Sequence, residues 1–238
     1  MFSEAGSAKM TLVLIEALVP AYNEAPTIGA VIAALRAAPS VSRVIVIDDG
    51  SSDETATVAA NAGASVLRMN PNGGKGKAML AGLTQSRSDH VGFFDADLYG
   101  LSPAHVELMV AAASKGFDMV CGLRDYGLLG NPWQLTGPVI TGERILTRQL
   151  LDRIPESCWS GYKIETAMND AARRSGARTA CVMLLGVTIR NKVQKDGGFL
   201  NGIWGHLKMA KEIIRTSNNL ESSCGTSCTV GNRSVTWP

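Results

Sequence analysis

Val91-Gly92-Phe93-Phe94-Asp95-Ala96-Asp97 decides how the rest of the chain is read. An apolar run without charges suits a strand buried on both faces, as in a parallel sheet. It runs directly into two carboxylates separated by one Ala. Open α/β sheets bind their ligands at the carboxyl ends of the strands. Two hard oxygen ligands on a short segment suit a divalent cation that keeps waters and takes further ligands from a phosphate. The alternative is that Asp95 and Asp97 merely cap the following helix.

The preceding residues favour a sheet. Leu12 to Val19 is mainly apolar and ends at Pro20, which reads as a first strand stopped by a residue that cannot extend the ladder. After the loop Ala21-Tyr22-Asn23-Glu24, Pro26 suits a first helical turn, and Ile28, Val31, Ile32 and Leu35 follow at helical spacing. Val44-Ile45-Val46-Ile47 is a second strand, leading into Asp48-Asp49-Gly50-Ser51-Ser52-Asp53 and a helix over 55–62. Ser65 to Met69 is a short third strand. The glycine- and lysine-bearing loop Asn70 to Lys77 then precedes a helix from Ala78 to Ser86. Three strand–loop–helix units predict an α/β fold with a mostly parallel, Rossmann-like sheet flanked by helices. Right-handed crossovers bring Glu24, Asp48, Asp49, Lys75, Asp95 and Asp97 to one edge.

Further on the pattern is less regular. A helix is expected over 103–114 and a strand over 118–123, ending at Arg124. A loop follows to Val139, and Gly142-Glu143-Arg144-Ile145 leads into a helix reaching Arg153. A helix over 161–175, a strand over 178–185, a basic stretch over 190–195 and an amphipathic helix over 200–215 complete the reading. Residues 1–10 read as a leader and 217–238 as a disordered tail. Lys192, Lys195, Lys208, Lys211 and Arg215 beside Phe199, Ile203 and Trp204 suit either a peripheral membrane contact or a helix packed on the core with a solvated basic face.

The composition is that of a globular protein: 45% hydrophobic and 18% charged over 238 residues. A formal charge of +2 gives no reason to expect nucleic acid as a partner. Five scattered cysteines suit a reducing compartment. No apolar run reaches the roughly 18–20 residues of a membrane span, and Met1 to Lys9 lacks the order of a signal peptide. The expected location is the cytoplasm, with peripheral contact at the inner membrane face as a variant.

Carboxylates and a lysine at the mouth of such a sheet suggest a nucleotide site. A cation at Asp95 and Asp97 would neutralise a diphosphate, while Glu24, Asp48 or Asp49 and Tyr22 offer acceptors and a flat surface for ribose and base. The Gly73-to-Lys77 loop resembles a phosphate cradle but lacks the P-loop spacing, and no G-x-G-x-x-G follows the first strand. A P-loop hydrolase and a dehydrogenase are therefore disfavoured.

Val19-Pro20-Ala21-Tyr22-Asn23-Glu24, Val46 to Asp53, Gly74-Lys75-Gly76 and Phe94-Asp95-Ala96-Asp97 stand in the order and spacing of the family 2 glycosyltransferases. The chain resembles that family, whose members have the nucleotide-diphospho-sugar-binding GT-A fold, over about residues 12–125. The resemblance implies one domain over 11–216, with a nucleotide-sugar half (11–125) and an acceptor half (126–216). It implies that Pro20, Ala21, Tyr22 and Glu24 border the nucleoside, that Asp48 or Asp49 contacts base or ribose, and that Lys75 and Ala96 belong to the donor site. Asp95 and Asp97 would be the Asp-x-Asp pair holding Mg²⁺ or Mn²⁺, with Asp97 counted as catalytic and the transferred centre inverted.

Gly122-Leu123-Arg124 resembles a motif of polyprenyl-phosphate sugar transferases. Gly142-Glu143-Arg144 resembles an acceptor-side motif of that group and of glucosyl-3-phosphoglycerate synthases. Arg124, Glu143 and Arg144 are thus expected at a phosphorylated acceptor, since guanidinium pairs bidentately with phosphate, and Arg144 is also expected to act in catalysis. A hydroxyl acceptor would need a base, for which Glu165 is the candidate. Several relatives carry a His near residues 186–189 as a further metal ligand; here Ile189 and Arg190 follow, leaving water or His206 to complete the shell, or weak metal binding. The processive Gln-x-x-Arg-Trp motif is absent. A nucleotidyltransferase and a non-catalytic sugar-nucleotide binder are the competing readings.

Overall fold

Alternate side chains of β1 (Ile15–Ala21) and β2 (Val41–Asp48) serve two cores at once. Ala17, Val19, Val44 and Val46 face the core covered by α1 (Ala25–Arg36) and α2 (Thr55–Asn61), which continues under α4 (Pro103–Ala113). Leu18, Ile45 and Ile47 pack under α3 (Lys75–Gln85) and share their core with residues of α5 (Arg148–Leu151) and α6 (Lys163–Ser175). Burial on both faces is why these strands read as unbroken apolar runs, and each buried Leu, Ile, Val or Phe contributes about 1.5–3 kcal/mol. The computed structural model of the chain describes residues 13–125, 139–160, 163–189 and 234–236.

The remaining strands are β3 (Ser65–Arg68), β4 (His90–Phe93), β5 (Leu98–Tyr99), β6 (Met119–Arg124), β7 (Arg144–Thr147), β8 (Thr179–Leu184), β9 (Thr188–Ile189) and β10 (Ser234–Thr236). Eight of them form one sheet in the order β10-β8-β6-β7-β4-β1-β2-β3. Every ladder is parallel except those of β7, which runs antiparallel to β4 and β6. β5 and β9 pair antiparallel in a separate two-stranded sheet. The mostly parallel sheet flanked by helices is thus the one expected.

Four expectations need correction. Pro20 does not end β1: it pairs opposite Ile47 within the β1–β2 register. Strand residues alternate the neighbour they face, so Pro20 turns toward β4 as Leu18 does. The β4 ladder closes at Leu18, whose carbonyl accepts the Phe94 N–H, so the missing Pro N–H forfeits no ladder bond. α3 begins at Lys75, not Ala78, because Gly74 takes the left-handed φ of 83° at its N-cap. Arg144–Thr147 is a strand, and only a one-turn helix follows it. Ser234–Thr236, expected in a disordered tail, is held as a strand by parallel pairing to β8. The expected leader, the loop over 126–138, the basic stretch, the helix over 200–215 and the rest of the tail fall outside the described residues.

Candidate active site

The carboxyl ends of β1, β2, β4 and β6 come together on one edge, and their loops are laced to one another. In the β1–α1 loop, Asn23 N–H donates to Ser51 Oγ at 2.9 Å and Glu24 N–H to Thr55 Oγ1 at 2.8 Å, while Ser52 N–H donates back to Asn23 Oδ1. Glu24 is buried, and its carboxylate accepts from Thr27 Oγ1 at 3.3 Å. Tyr22 projects outward, 51% exposed, beside half-buried Pro20 and buried Ala21. The expected nucleoside border is therefore brought together as one edge.

Asp48 and Asp49 divide their tasks. Asp49 is buried, and its two carboxylate oxygens accept the N–H groups of Gly73 and Gly74, each at 2.7 Å; its carbonyl accepts from Asn72 Nδ2. That carboxylate is spent on shaping the glycine-rich loop. Asp48, fully buried, accepts Ser51 N–H at Oδ1 and leaves Oδ2 without an aligned hydrogen bond, 3.1 Å from Arg68 Nε.

The centre of the edge is a chain of alternating charge. Lys75 Nζ lies 2.9 Å from Glu165 Oε1 and 2.8 Å from Asp95 Oδ1. Arg124 Nη2 lies 2.5 Å from Asp95 Oδ2, and its Nε and Nη2 grip Glu143 at 2.8 and 2.9 Å. Glu143, wholly buried, also accepts from Thr141 Oγ1 at 2.6 Å. Burial alone would raise the Asp95 carboxyl, but the Lys75 and Arg124 charges outweigh it and hold it at about 2. Burial likewise opposes the Lys75 ammonium, and Asp95 and Glu165 more than reverse this, holding Lys75 above its ordinary value. For Glu143 burial wins: its carboxyl is pushed up, Arg124 offsetting this only in part and Asp95 adding to it. Glu165 stands in the first turn of α6, where a carboxylate suits the helix N-terminus. Its Oε2 is buried without a hydrogen-bond partner. Ala96 is buried and Asp97 half-buried immediately after Asp95.

Gly142 is required by close approach: a Cβ there would lie 2.3 Å from both carboxylate oxygens of Asp95. Gly142→Ala should swing Asp95 off its two cations. We expect a loss of about 1–3 kcal/mol, as for other overpacked sites, read as a lowered urea midpoint at unchanged slope. An unchanged midpoint would show that Asp95 moves aside freely.

Arg144 is not where the acceptor-side reading puts it. It is 1% exposed, and its donors go to the carbonyls of Thr141 (2.9 Å) and Val139 (2.7 Å) and to Asn169 Oδ1 (2.8 Å), with Nη1 also against Met119 Sδ. Glu143, the last residue before β7, joins the site, while Arg144, the first residue of the strand, turns into the protein. Arg124 is brought to the site, held by Glu143 and Asp95. Arg68, Asn72, Thr141 and Asn169 were not anticipated; Arg68, Asn72 and Asn169 meet partners 17, 23 and 25 residues away, which no local pattern marks.

The mostly parallel sheet flanked by helices, with carboxylates and a lysine clustered at its carboxyl edge, matches solved glycosyltransferase structures of the GT-A fold. The model of glycosyl transferase family 2 matches residues 17–163, and the chain belongs to that family. An uncharacterised glycosyltransferase of Mycobacterium tuberculosis is 36% identical over 136 residues, covering 56% of this chain and 60% of that protein. Undecaprenyl-phosphate 4-deoxy-4-formamido-L-arabinose transferase of Pseudomonas paraeruginosa is 34% identical over 122 residues, covering 47% of this chain and 36% of that protein. This chain thus spans about 60% or less of these relatives. Glucosyl-3-phosphoglycerate synthase from M. tuberculosis, solved with Mn²⁺, UDP and glucosyl-3-phosphoglycerate, superposes with a TM-score of 0.72 at 26% identity, covering 87% of this chain and 80% of that one. The same synthase has also been solved with Mg²⁺ and UDP, and with Mn²⁺, UDP-glucose and phosphoglyceric acid. Among the described residues no helix is long and apolar enough to cross a membrane.

Proposed function

We propose that this chain transfers a single sugar from a UDP- or GDP-sugar, with inversion at the anomeric carbon, to a phosphorylated acceptor such as a polyprenyl phosphate or a phosphoglycerate-like compound. The observation that carries the reading is the Lys75–Asp95–Arg124 cluster, next to Asp97, at the carboxyl edge of a parallel sheet. In this reading residues 11–216 form one domain, whose first half binds the donor and whose second half meets the acceptor. A polyprenyl-phosphate acceptor would place the reaction in cell-envelope synthesis, with the chain in the cytoplasm or at the inner membrane face.

Asp95 and Asp97 fit a hard divalent cation such as Mg²⁺ or Mn²⁺. Both stand on one turn, and Asp95, held at about 2, is ionised at ordinary pH. Among the described residues no group of three or more His, Cys, Asp or Glu is gathered to hold a metal. The remaining ligands would be diphosphate oxygens and water. When bound, the cation supplies Lewis-acid stabilisation of the leaving nucleoside diphosphate. Asp48, whose Oδ2 is shared only with the exposed Arg68, takes the nucleoside contact that Asp49, committed through both oxygens to Gly73 and Gly74, cannot, and Tyr22 offers its ring to the base. An acceptor attacking through a phosphate oxygen needs no base. One attacking through a hydroxyl needs one, and Glu165, with its unpartnered Oε2, is the group for it.

Thermal-shift titration with UDP, GDP, ADP and CMP, each with and without Mn²⁺, tests the donor half. A native-state ligand raises the melting temperature by mass action, by about 2.7 kcal/mol of stability at 100 times its Kd. A metal-requiring shift with UDP or GDP is expected. No shift with any of the four would turn the reading toward a binder that has lost this site. Pyrophosphate rather than nucleoside diphosphate as product would turn it toward a nucleotidyltransferase.

A further inference from the structure

Half-buried His105 joins parts of the fold that meet beside the site. It forms a capping box with Ser102 at the start of α4: Ser102 Oγ accepts the His105 N–H, and the Ser102 N–H donates to His105 Nδ1 at 3.2 Å. A backbone N–H can only donate, so Nδ1 is the ring's acceptor and the proton of the neutral ring sits on Nε2. That leaves Nε2–H as the donor to the backbone carbonyl of Leu185. Leu185 begins the turn between β8 and β9, which lies against the segments that carry the site. The Gly186 N–H donates to Asp125 Oδ2 at 3.0 Å, and the Asp125 N–H, next to Arg124, donates to the Val187 carbonyl at 2.9 Å. The Gly186 carbonyl comes so close to Gly100 that a Cβ there would lie 2.3 Å from it, and β9 pairs with β5 directly after Asp97.

We propose that His105 is a pH-set latch: the neutral ring clips the 185–187 turn to α4 beside the site, and protonation releases it. The inference goes beyond the donor reading and does not rest on it. In the charged ring both nitrogens carry protons, so Nδ1 would face the Ser102 N–H donor to donor. The ring must then tilt off Ser102, and its hold on Leu185 goes with it. Burial, the largest influence, pushes the ring below its ordinary 6.5, and the Leu185 carbonyl offsets this only in part. The neutral form is thus favoured by folding, so the latch is whole above about pH 6.5 and weakens as the pH falls below it. The charged groups on the elements packed against α4 are committed elsewhere. Arg36 of α1 reaches the Ala62 carbonyl, Arg124 of β6 is held by Glu143 and Asp95, and Arg144 of β7 donates to Thr141, Val139 and Asn169. Glu107 of α4 itself accepts from Ser40, Asp125 accepts from Gly186, Tyr99 of β5 is exposed, and the titratable group of β8 is the buried Cys181 thiol.

The test is amide hydrogen exchange of the full chain, followed by NMR and corrected for the intrinsic rate, at about pH 7.5 and about pH 5.5, on either side of the ordinary histidine value. Protection of the Ser102 and Gly186 amides should fall about 10-fold across that window, the scale of one lost hydrogen bond. His105→Gln offers one acceptor and one donor, as the neutral ring does, and does not titrate. It should keep both amides protected at both ends of the window. His105→Glu keeps the capping box but sets a carboxylate against the Leu185 carbonyl. Its Ser102 amide should stay protected while Gly186 exchanges about 10-fold faster than in the native chain at about pH 7.5. Native protection that does not change across the window overturns the latch without recourse to any variant. So does a His105→Gln chain that loses protection in acid as the native chain does, or a His105→Glu chain whose Gly186 amide is as well protected as the native one at the upper pH.

Discussion

Asp95→Asn is expected to lower sugar transfer by more than about 100-fold while leaving the chain folded. The substitution keeps the side chain's volume against Gly142 but removes the charge that Lys75 and Arg124 share. Loss of an outer partner of a metal ligand already costs about 10–100-fold, and Asp95 is proposed as a ligand itself. The fold should tolerate the change because neither cation is orphaned: Lys75 keeps Glu165 and Arg124 keeps Glu143. We expect a stability loss of about 1–2 kcal/mol, below the roughly 3–5 kcal/mol of a buried pair broken outright. Acid titration separates the two effects. The Asp95 carboxyl is depressed from its ordinary 3.8 to about 2, so its contribution to stability is fully present above about pH 4 and lost as the pH falls toward 2. Urea midpoints across that window should converge for the native and Asn chains at the acid end. Transfer by the Asn chain within a few-fold of native would remove Asp95 from the metal site. Midpoints that stay equally far apart at pH 2 would show that its ion pairs do not stabilise the fold.

Much of the first half was legible because its signals are local. The runs ending at Ala21, Asp48 and Phe93 are apolar on both faces, and the carboxylates that follow them are adjacent in sequence to the strands that aim them. What could not be read depends on partners far along the chain. Pro20 looks like a stop until the β4 ladder is seen to close two residues earlier. Arg144–Thr147 carries no strong strand pattern; it becomes a strand because β4 and β6 leave a place between them, and both stand earlier in the chain, β6 by more than twenty residues and β4 by more than fifty. Two-residue strands such as β5 and β9 have no period to detect. The partition between Asp48 and Asp49 was likewise invisible, since it rests on which of two adjacent carboxylates meets the N–H groups of Gly73 and Gly74.

The same reasoning makes Arg144 the most sensitive structural position we expect in the chain. Reading Gly142-Glu143-Arg144 as one motif puts both charged residues at the acceptor, but Glu143, just before β7, is held by Arg124 while Arg144, opening the strand, is held by Thr141, Val139 and Asn169. Arg144→Met keeps much of the stem and removes the guanidinium, leaving the Thr141 and Val139 carbonyls without this donor and Asn169 Oδ1 without its partner. Asn169 Nδ2 still donates to Val139, so that carbonyl is not abandoned. Each buried acceptor left unsatisfied costs about 1–3 kcal/mol. With two such acceptors and lost packing, we expect about 3–5 kcal/mol, a large share of the 5–15 kcal/mol that holds a domain folded. For a chain of this size that is a fall in melting temperature of roughly 6–20 °C. An acceptor-binding Arg144 makes the opposite prediction: a nearly unchanged melting temperature and a raised KM for the acceptor. The pair of measurements therefore decides whether Arg144 holds the end of β7 in place or reaches the acceptor. The burial of its side chain and the three oxygens that accept from it favour the first.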